Sequence, residues 1–498
     1  MTDTQVLVAG AGPTGLMLAA ELALRGVACR VVEQRAQESN LTRAFGVHAR
    51  TLEQLDMRGL ADPLVTQGIQ VAEIRPTFGR ASVRLPMRHP ESRFPYVLIV
   101  AQARTEAMLT ERARALGVEI VRGAKVVDVR EDGDGVEATI EGADGTRTER
   151  AGYVVGCDGA HSQVRRSMGV GFSGSTYATH ILLADLRLAD ADVMAVRTFV
   201  GRDGMVLMPP FGDGWVRAVI WDRRRQDVPL DEPLGIEEVA ASLNRLAGHD
   251  LGVREMRWST RFRSERRQAD AYRKGRVFLA GDAAHVHSPL GALGMNTGIQ
   301  DAMNLGWKIA AAVHGWAAPW LLDSYHPERH PVGAAALRLT DLLQRISVAP
   351  APIRAIRPFL ARGALAIPAI SDTLRRRVAG LSIAYPPQDP GHAHAWEGRR
   401  VADAPLSTGR LYEALRPGRF LLVQRGDTKP LDTGDRADRL DTARLAETAD
   451  SAIPAVMLVR PDGYVAWAAD EGTKDHPDEV RTALSRWCGP AHNHTPTT

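Results

Sequence analysis

The sequence predicts an α/β and α+β protein in three parts. These are a Rossmann-type dinucleotide-binding domain, a β-sheet domain inserted into it, and a separate small domain at the C-terminal end. Three observations predict this. A short apolar run leads into Gly10-Ala-Gly12-Pro-Thr-Gly15. A second apolar run, residues 276–282, leads into a glycine-rich loop and a helical pattern. Elsewhere long stretches alternate with the period of two that marks strands. The boundaries that follow are 1–175 with 266–385, 176–265, and 386–498. With 498 residues, two to four domains of about 150 residues are the expectation.

Residues 5–9 read as a strand, residues to Leu24 as a helix, and residues 28–32 as a second strand ending at Glu33. In such a unit Gly10 permits the tight turn, Gly12 lets the backbone approach a pyrophosphate, and Gly15 lets helix and strand pack closely. The helix N-terminus offers free N–H groups to phosphate. Glu33 stands where an acid accepts from ribose hydroxyls. This fingerprint does not distinguish FAD from NAD. A second formal match, Gly169-Val-Gly171-Phe-Ser-Gly174, follows a basic helical stretch and reads as a loop. The chain therefore has one Rossmann domain, which argues against enzymes of the disulfide-reductase type.

Residues 118–155 alternate as strands with Asp-Gly turns, and 176–265 carry further strand runs, with a hairpin turn at Phe211-Gly-Asp-Gly214. Segment 276–308 brings Asp282 to a strand's carboxyl end, where ligands of open α/β sheets bind. Gly291, Gly294 and Gly298 allow close backbone approach to a flat ring. A helix is expected from about Thr297 to Val313. His285 and His287 lie at a spacing that suits no metal without further ligands. Residues 328–385 read as helical but interrupted by prolines, 386–397 as a linker, and 410–490 as alternating strands and turns.

The composition is 44% hydrophobic, and 62 basic against 59 acidic residues leave a formal charge of +3. Neither nucleic acid nor a membrane is an expected partner. Cys29, Cys157 and Cys488 form no CxxC pair and no zinc spacing, so no metal is expected. No signal peptide or membrane span is read, and a cytoplasmic location is the expectation.

Three motifs together resemble the single-component FAD-dependent aromatic hydroxylases, the para-hydroxybenzoate hydroxylase-like family. They are GAGPTG at 10–15, the segment Gly156-Cys-Asp158-Gly159-Ala-His-Ser-Gln-Val-Arg165-Arg166, and RVFLAGDAAHVHSPLGALGMNTGIQDAMNLGWK at 276–308. Within the family the chain looks most like the actinomycete polyketide-tailoring and rifampicin-oxidising branch. The resemblance implies a Rossmann-type FAD-binding domain, an inserted β-sheet substrate-binding domain and a thioredoxin-like C-terminal domain. That last domain, lacking CxxC, would be structural or support oligomers. A monomer or homodimer is expected.

For FAD the resemblance implies Gly10, Gly12, Pro13, Thr14, Gly15, Glu33 and Gln34 at the first loop. It adds Arg43 and Gln102 near the flavin, Val126 by its backbone at adenine, and Asp158 at both flavin and nicotinamide cofactor. Asp282 would hold the ribityl chain, beside Gly294, Met295 and Asn296. Arg43 and Pro289 are the candidates for the reacting face. Met205, Met208, Trp221, Pro289 and Gly291 are the candidates for substrate contact. The family's loop usually carries paired glycines where this chain has Gly291-Ala292, so a Cβ stands beside the ring.

The implied reaction uses NADPH or NADH and O2 to hydroxylate an aromatic, polycyclic polyketide-type substrate through a flavin C4a-hydroperoxide. With one nucleotide fold, the nicotinamide would approach over a shared surface past Arg43, Asp158 and the Arg165-Arg166 pair. The rival on the same fold is Baeyer–Villiger insertion, epoxidation or antibiotic inactivation. A flavin halogenase would carry WxWxIP, which is absent. A flavin-binding regulatory protein would not oxidise NAD(P)H.

Overall fold

The computed structural model describes residues 4–38, 44–78, 81–82, 84–189, 196–201, 203–347, 363, 367–426, 431–470 and 477–491. Its first sheet runs in the order Lys125–Asp132, Gly135–Gly142, Gly145–Gly156, Thr4–Ala9, Cys29–Glu33, Glu119–Arg122. Val277–Leu279 joins Gly145–Gly156 in parallel. Strand Thr4–Ala9 is buried at every position from Val6 to Ala9, as expected of a parallel strand covered on both faces. The register pairs Ala9 with Gly156 and Gly156 with Leu279. Three strands therefore end level, and the three glycine-bearing motifs emerge side by side at one carboxyl edge.

The helix Pro13–Ala23 follows the first strand with Pro at its first turn, where a missing N–H costs nothing. The long helix is Leu293–Val313, a turn earlier than expected at Thr297. Gly294, Asn296 and Gly298 are weak helix formers that disguise the first turn, and tertiary contacts override them. Helix Tyr325–Ser347 continues through Pro331.

The second sheet has nine strands. Its central strands are Val253–Ala269, Phe172–Leu188, Val216–Asp222, Gly204–Met208 and Arg197–Val200. Glu73–Phe78, far upstream, joins the edge in parallel, so this sheet is not confined to 176–265. Helix Ile236–Ala247 covers one face, packing Val239, Leu243 and Leu246 on Leu182, Ala184 and Ile220. A three-stranded sheet, Gly46–Val47, Val97–Ile99 and Ile69–Val71, lies between the two large sheets.

The C-terminal part has a mixed four-stranded sheet ordered Leu440–Arg444, Phe420–Gln424, Val456–Val459, Val465–Ala469, closed by helix Pro477–Cys488. It shares a core with the long helix: Trp307 and Ala311 pack with Phe420, Leu422 and Leu458. Cys488 is buried in that core, and burial pushes its thiol up to about 12, which leaves an unreactive packing group.

Candidate active site

The first loop and the 281–298 segment meet on one side chain. A Cβ on Gly298 would lie 2.2 Å from Thr14 Oγ1, and one on Gly281 2.6 Å from the same atom. Thr14 thus sits in a notch made by two glycines of the other motif, and Gly10 turns the loop at φ +104°. A Cβ on Gly12 would meet nothing within 4 Å, and no side chain caps the helix behind it. Open space before uncapped amides is the cradle a pyrophosphate requires.

Glu33 is buried and reaches back to the loop. Its Oε2 accepts from Ala11 N at 2.7 Å, and its Oε1 from Arg35 N and Nε at 2.9 Å each. Burial opposes its ionisation, but the Arg35 and Ala11 hydrogen bonds prevail and hold the carboxyl below its ordinary value. Gln34 is exposed just beyond the strand end. Val126 pairs with Ile140 at a bulge in its strand.

Asp158 begins the second motif. Its Oδ2 accepts from Gln163 N at 2.7 Å and Val164 N at 3.2 Å. Its Oδ1 is buried with no hydrogen-bond partner, an acceptor suited to a ribityl or ribose hydroxyl. Together with the Gly12 cradle, this fits FAD. Arg165 does not lie on an open surface. It is buried, donates to Ala283 O at 2.8 Å and Ala160 O at 2.9 Å, and stacks 3.6 Å over the Phe172 ring. It ties the second motif to the third, and of the basic pair only Arg166 is exposed.

Asp282 sits in the single turn Gly281–Ala283. A Cβ on Gly294 would be 3.8 Å from both Asp282 Oδ1 and His287 Nδ1, so both groups face the first turn of the long helix, with Met295 and Asn296. Asp301, one turn on, is a residue that sequence reasoning missed. It accepts from Gly281 N at 3.1 Å, His285 Nε2 at 2.6 Å and Arg329 Nε at 2.7 Å. An acid within a helix of apolar pattern gave no signal of burial.

The loop between these elements is clamped. His48 Nε2 donates to Gly291 O at 2.8 Å, and His48 N donates to Asn296 Oδ1 at 2.9 Å. Asn296 Nδ2 donates to Gly46 O and Ala292 O at 2.9 and 2.7 Å. Pro289 O accepts from Ala292 N at 3.1 Å. Ala292 takes φ +54°, the only non-glycine residue at positive φ among the described residues, at a cost of roughly 1–2 kcal/mol. Gln102 Oε1 accepts from Ala44 N at 3.0 Å. Arg43 lies outside the described residues.

Burial lowers His48 to about 4 and His287 to about 3, so both are neutral in the folded protein at pH 7. An unfolded histidine takes up its proton near 6.5. The unfolded chain therefore binds more protons between about 4 and 6.5, and stability falls as pH drops through that window. Replacing His48 with Gln is expected to make the dependence of unfolding free energy on pH shallower there by about 1.4 kcal/mol per pH unit. Denaturant titrations at pH 5 and 6 measure this, and parallel slopes for variant and parent would contradict it.

The face of the second sheet turned toward this loop has two apolar rows. One is Leu183, Val219 and Leu207, ending at Thr198; the other is Trp221, Met205 and Val200. Trp221 and Met205 cluster with Leu290 of the loop. Trp221 Nε1 and Thr198 Oγ1 are buried without hydrogen-bond partners. Met208 is not on this face: three residues from Met205, it points the other way and packs under helix Ile236–Ala247. A separate cavity of about 690 Å³ is lined by Arg88, Arg93, Phe94 and Tyr96. It shares no lining residue with the glycine loops, and Arg93 there is already paired with Asp56 and Asp62.

Among the described residues no group of three or more His, Cys, Asp or Glu can hold a metal ion, and no helix is long and apolar enough to cross a membrane. Residues 3–340 match the family described as FAD binding domain, and 394–491 the family described as aromatic-ring hydroxylase, C-terminal. The chain is 40% identical over 491 residues to a rifampicin monooxygenase of Streptomyces venezuelae, covering 98% of this chain and 99% of the relative. It is 36% identical over 498 residues to a dialkyldecalin synthase of Streptomyces rugosporus, covering 99% and 100%. The structure of the anhydrotetracycline hydroxylase OxyS of Streptomyces rimosus is similar with a TM-score of 0.84 at 35% identity, covering 98% of this chain and 99% of that one.

Proposed function

The chain belongs to the FAD-binding family that carries an aromatic-ring hydroxylase C-terminal domain, and on that premise we propose that it hydroxylates a polycyclic aromatic of the polyketide type, using NAD(P)H and O2. The observation that carries this reading is the convergence of three motifs at one sheet edge, facing an apolar roof. When bound, FAD supplies the redox chemistry and the activation of dioxygen that side chains cannot.

The chain's own groups have simpler tasks. The uncapped end of Pro13–Ala23 takes the pyrophosphate, and Asp158 and Asp282 accept hydroxyls. The N-terminus of Leu293–Val313 stabilises negative charge at its mouth. The Pro289–Ala292 loop and the Met205–Trp221 face orient a flat substrate and exclude water.

NADPH and NADH oxidation against a panel of polycyclic phenols and quinones, with product mass spectrometry, tests the reading. The expected result is nucleotide use coupled to a product one oxygen heavier with its rings intact. A ring-expanded product would favour Baeyer–Villiger insertion. A substrate rearranged without nucleotide consumption would overturn the oxygenase reading altogether.

The unpartnered Trp221 indole N–H supports a substrate oxygen at that position. Trp221→Phe is expected to raise KM about tenfold for an oxygen-bearing substrate, the worth of one neutral hydrogen bond, with FAD affinity unchanged. An unaltered KM would remove Trp221 from the roof.

A further inference from the structure

We infer that the 460–463 turn of the C-terminal domain positions three helices that border the FAD site. This rests on FAD being the ligand of the glycine loops, not on the choice of substrate. The helices are Pro13–Ala23, Ala49–Asp56 and Leu293–Val313, and none has a side-chain cap at its N-terminus. The first and third present free amides to the site; the second spends its Arg50 amide on Ala379 O at 3.1 Å and holds the 289–292 loop through its N-cap residue His48, so whatever fixes the helices fixes the site.

One turn, Arg460-Pro461-Asp462-Gly463, is bonded directly to the second and third and, through Arg58, to the first. Pro461 O accepts from Arg58 Nη2 at 2.9 Å, and the same nitrogen donates to Glu21 Oε2 on the first helix at 2.8 Å. Asp462 O accepts from Arg50 Nη2 at 2.8 Å, on the second helix. The Asp462 carboxylate faces Asn304 Nδ2 of the long helix at 3.4 Å. Arg460 donates to Glu328 Oε1 and Oε2 at 2.9 Å each, and Glu328 Oε2 also accepts from Lys308 Nζ of the long helix at 2.8 Å.

Asp462, Arg460, Lys308 and Arg50 are each at most 1% exposed. Glu328 and Asp462 balance Lys308 and Arg460 in charge. Such a set holds its geometry because any displaced member leaves an uncompensated charge in a dry interior. Carbonyls of one turn held by two guanidinium forks add directional ties to that packing. These are positioning residues, remote from the ligand itself.

The test uses full-length protein freed of flavin and titrated with FAD by fluorescence quenching, with circular dichroism of the bound flavin and melting of the apoprotein recorded for each variant. Asp462→Asn is expected to weaken FAD binding about tenfold or more, a shift of about 1.4 kcal/mol, and to change the flavin's dichroism. Ile453→Ala, in the core of the same domain but outside the turn, is expected to lower apoprotein melting with FAD affinity and dichroism kept.

Should Asp462→Asn not fold, Gly463→Ala decides. Gly463 takes φ +77°, a conformation that a Cβ strains, and the added Cβ would crowd Arg50 Nη2 at 3.2 Å, disturbing the turn's hydrogen bond to the second helix. FAD affinity unchanged in the folded turn variant overturns the inference. So does an equal loss in Ile453→Ala, which would make the effect one of general stability. A parent protein that binds no FAD would overturn the family assignment of the site first.

Discussion

Asp301→Ala is expected to give a protein that is several kcal/mol less stable and retains no FAD through purification. Asp301 is fully buried. Burial alone would raise its pKa, but the Arg329 and His285 charges outweigh that and hold it below its ordinary value. Arg329 is equally buried, donating also to Thr297 O at 3.0 Å and Tyr385 OH at 3.2 Å. Removing the carboxylate strands that guanidinium in a dry interior, which costs about 3–5 kcal/mol. It also frees the amide of Gly281, so the strand end that presents Asp282 loses its anchor. Asp301→Asn keeps one acceptor and should fall between. Urea unfolding and the flavin-to-protein absorbance ratio report both effects. A variant that copurifies with stoichiometric FAD and unfolds within about 1 kcal/mol of the parent would refute this role.

Gly298→Ala is expected to reduce FAD affinity about a hundredfold, the upper end of the roughly 1–3 kcal/mol that overpacking costs. The new Cβ would stand 2.2 Å from Thr14 Oγ1 and 3.2 Å from Gly281 Cα. Thr14 and Gly281 are both crowded by that one methyl, so a shift of the long helix toward either is blocked. The first loop must move, and its amides with it. Thr14→Ala removes the contested atom. The double variant should therefore recover most of the affinity, and the two substitutions should be strongly non-additive, as neighbours in contact are. Isothermal titration of the four proteins with FAD measures the coupling. Additive losses would show that the two motifs do not meet through Thr14.

What the sequence made legible was local. The strand–GxGxxG–helix–strand unit and the carboxyl-edge position of Asp282 are properties of contiguous residues, and they appear as read. The level strand ends that unite three motifs follow from register, which the sequence implies only once the family resemblance is accepted.

Other features depended on partners distant in sequence. Glu73–Phe78 has the pattern of any edge strand, and nothing in it names the sheet it joins. Arg165 reads as half of an exposed basic pair until Phe172 and Ala283 are seen to enclose it. Asp301 and His48 are polar residues whose burial and hydrogen bonds come from partners far along the chain. Met208 is different: its odd offset from Met205 in one strand already placed the two on opposite faces, and parity alone would have separated them.

The 460–463 turn also has a consequence in time. Arg50 and Asp462 are 412 residues apart, and a chain growing at about 5–20 residues per second takes roughly 20–80 s to span that distance. Throughout that interval the nascent chain carries its dinucleotide fingerprint without the piece that fixes its helices. Arg50, Arg58 and Lys308 have no interior yet in which to be buried. The helices that border the cofactor site are therefore fixed only after the 460–463 turn has been made, by a contact that joins two widely separated stretches of the chain.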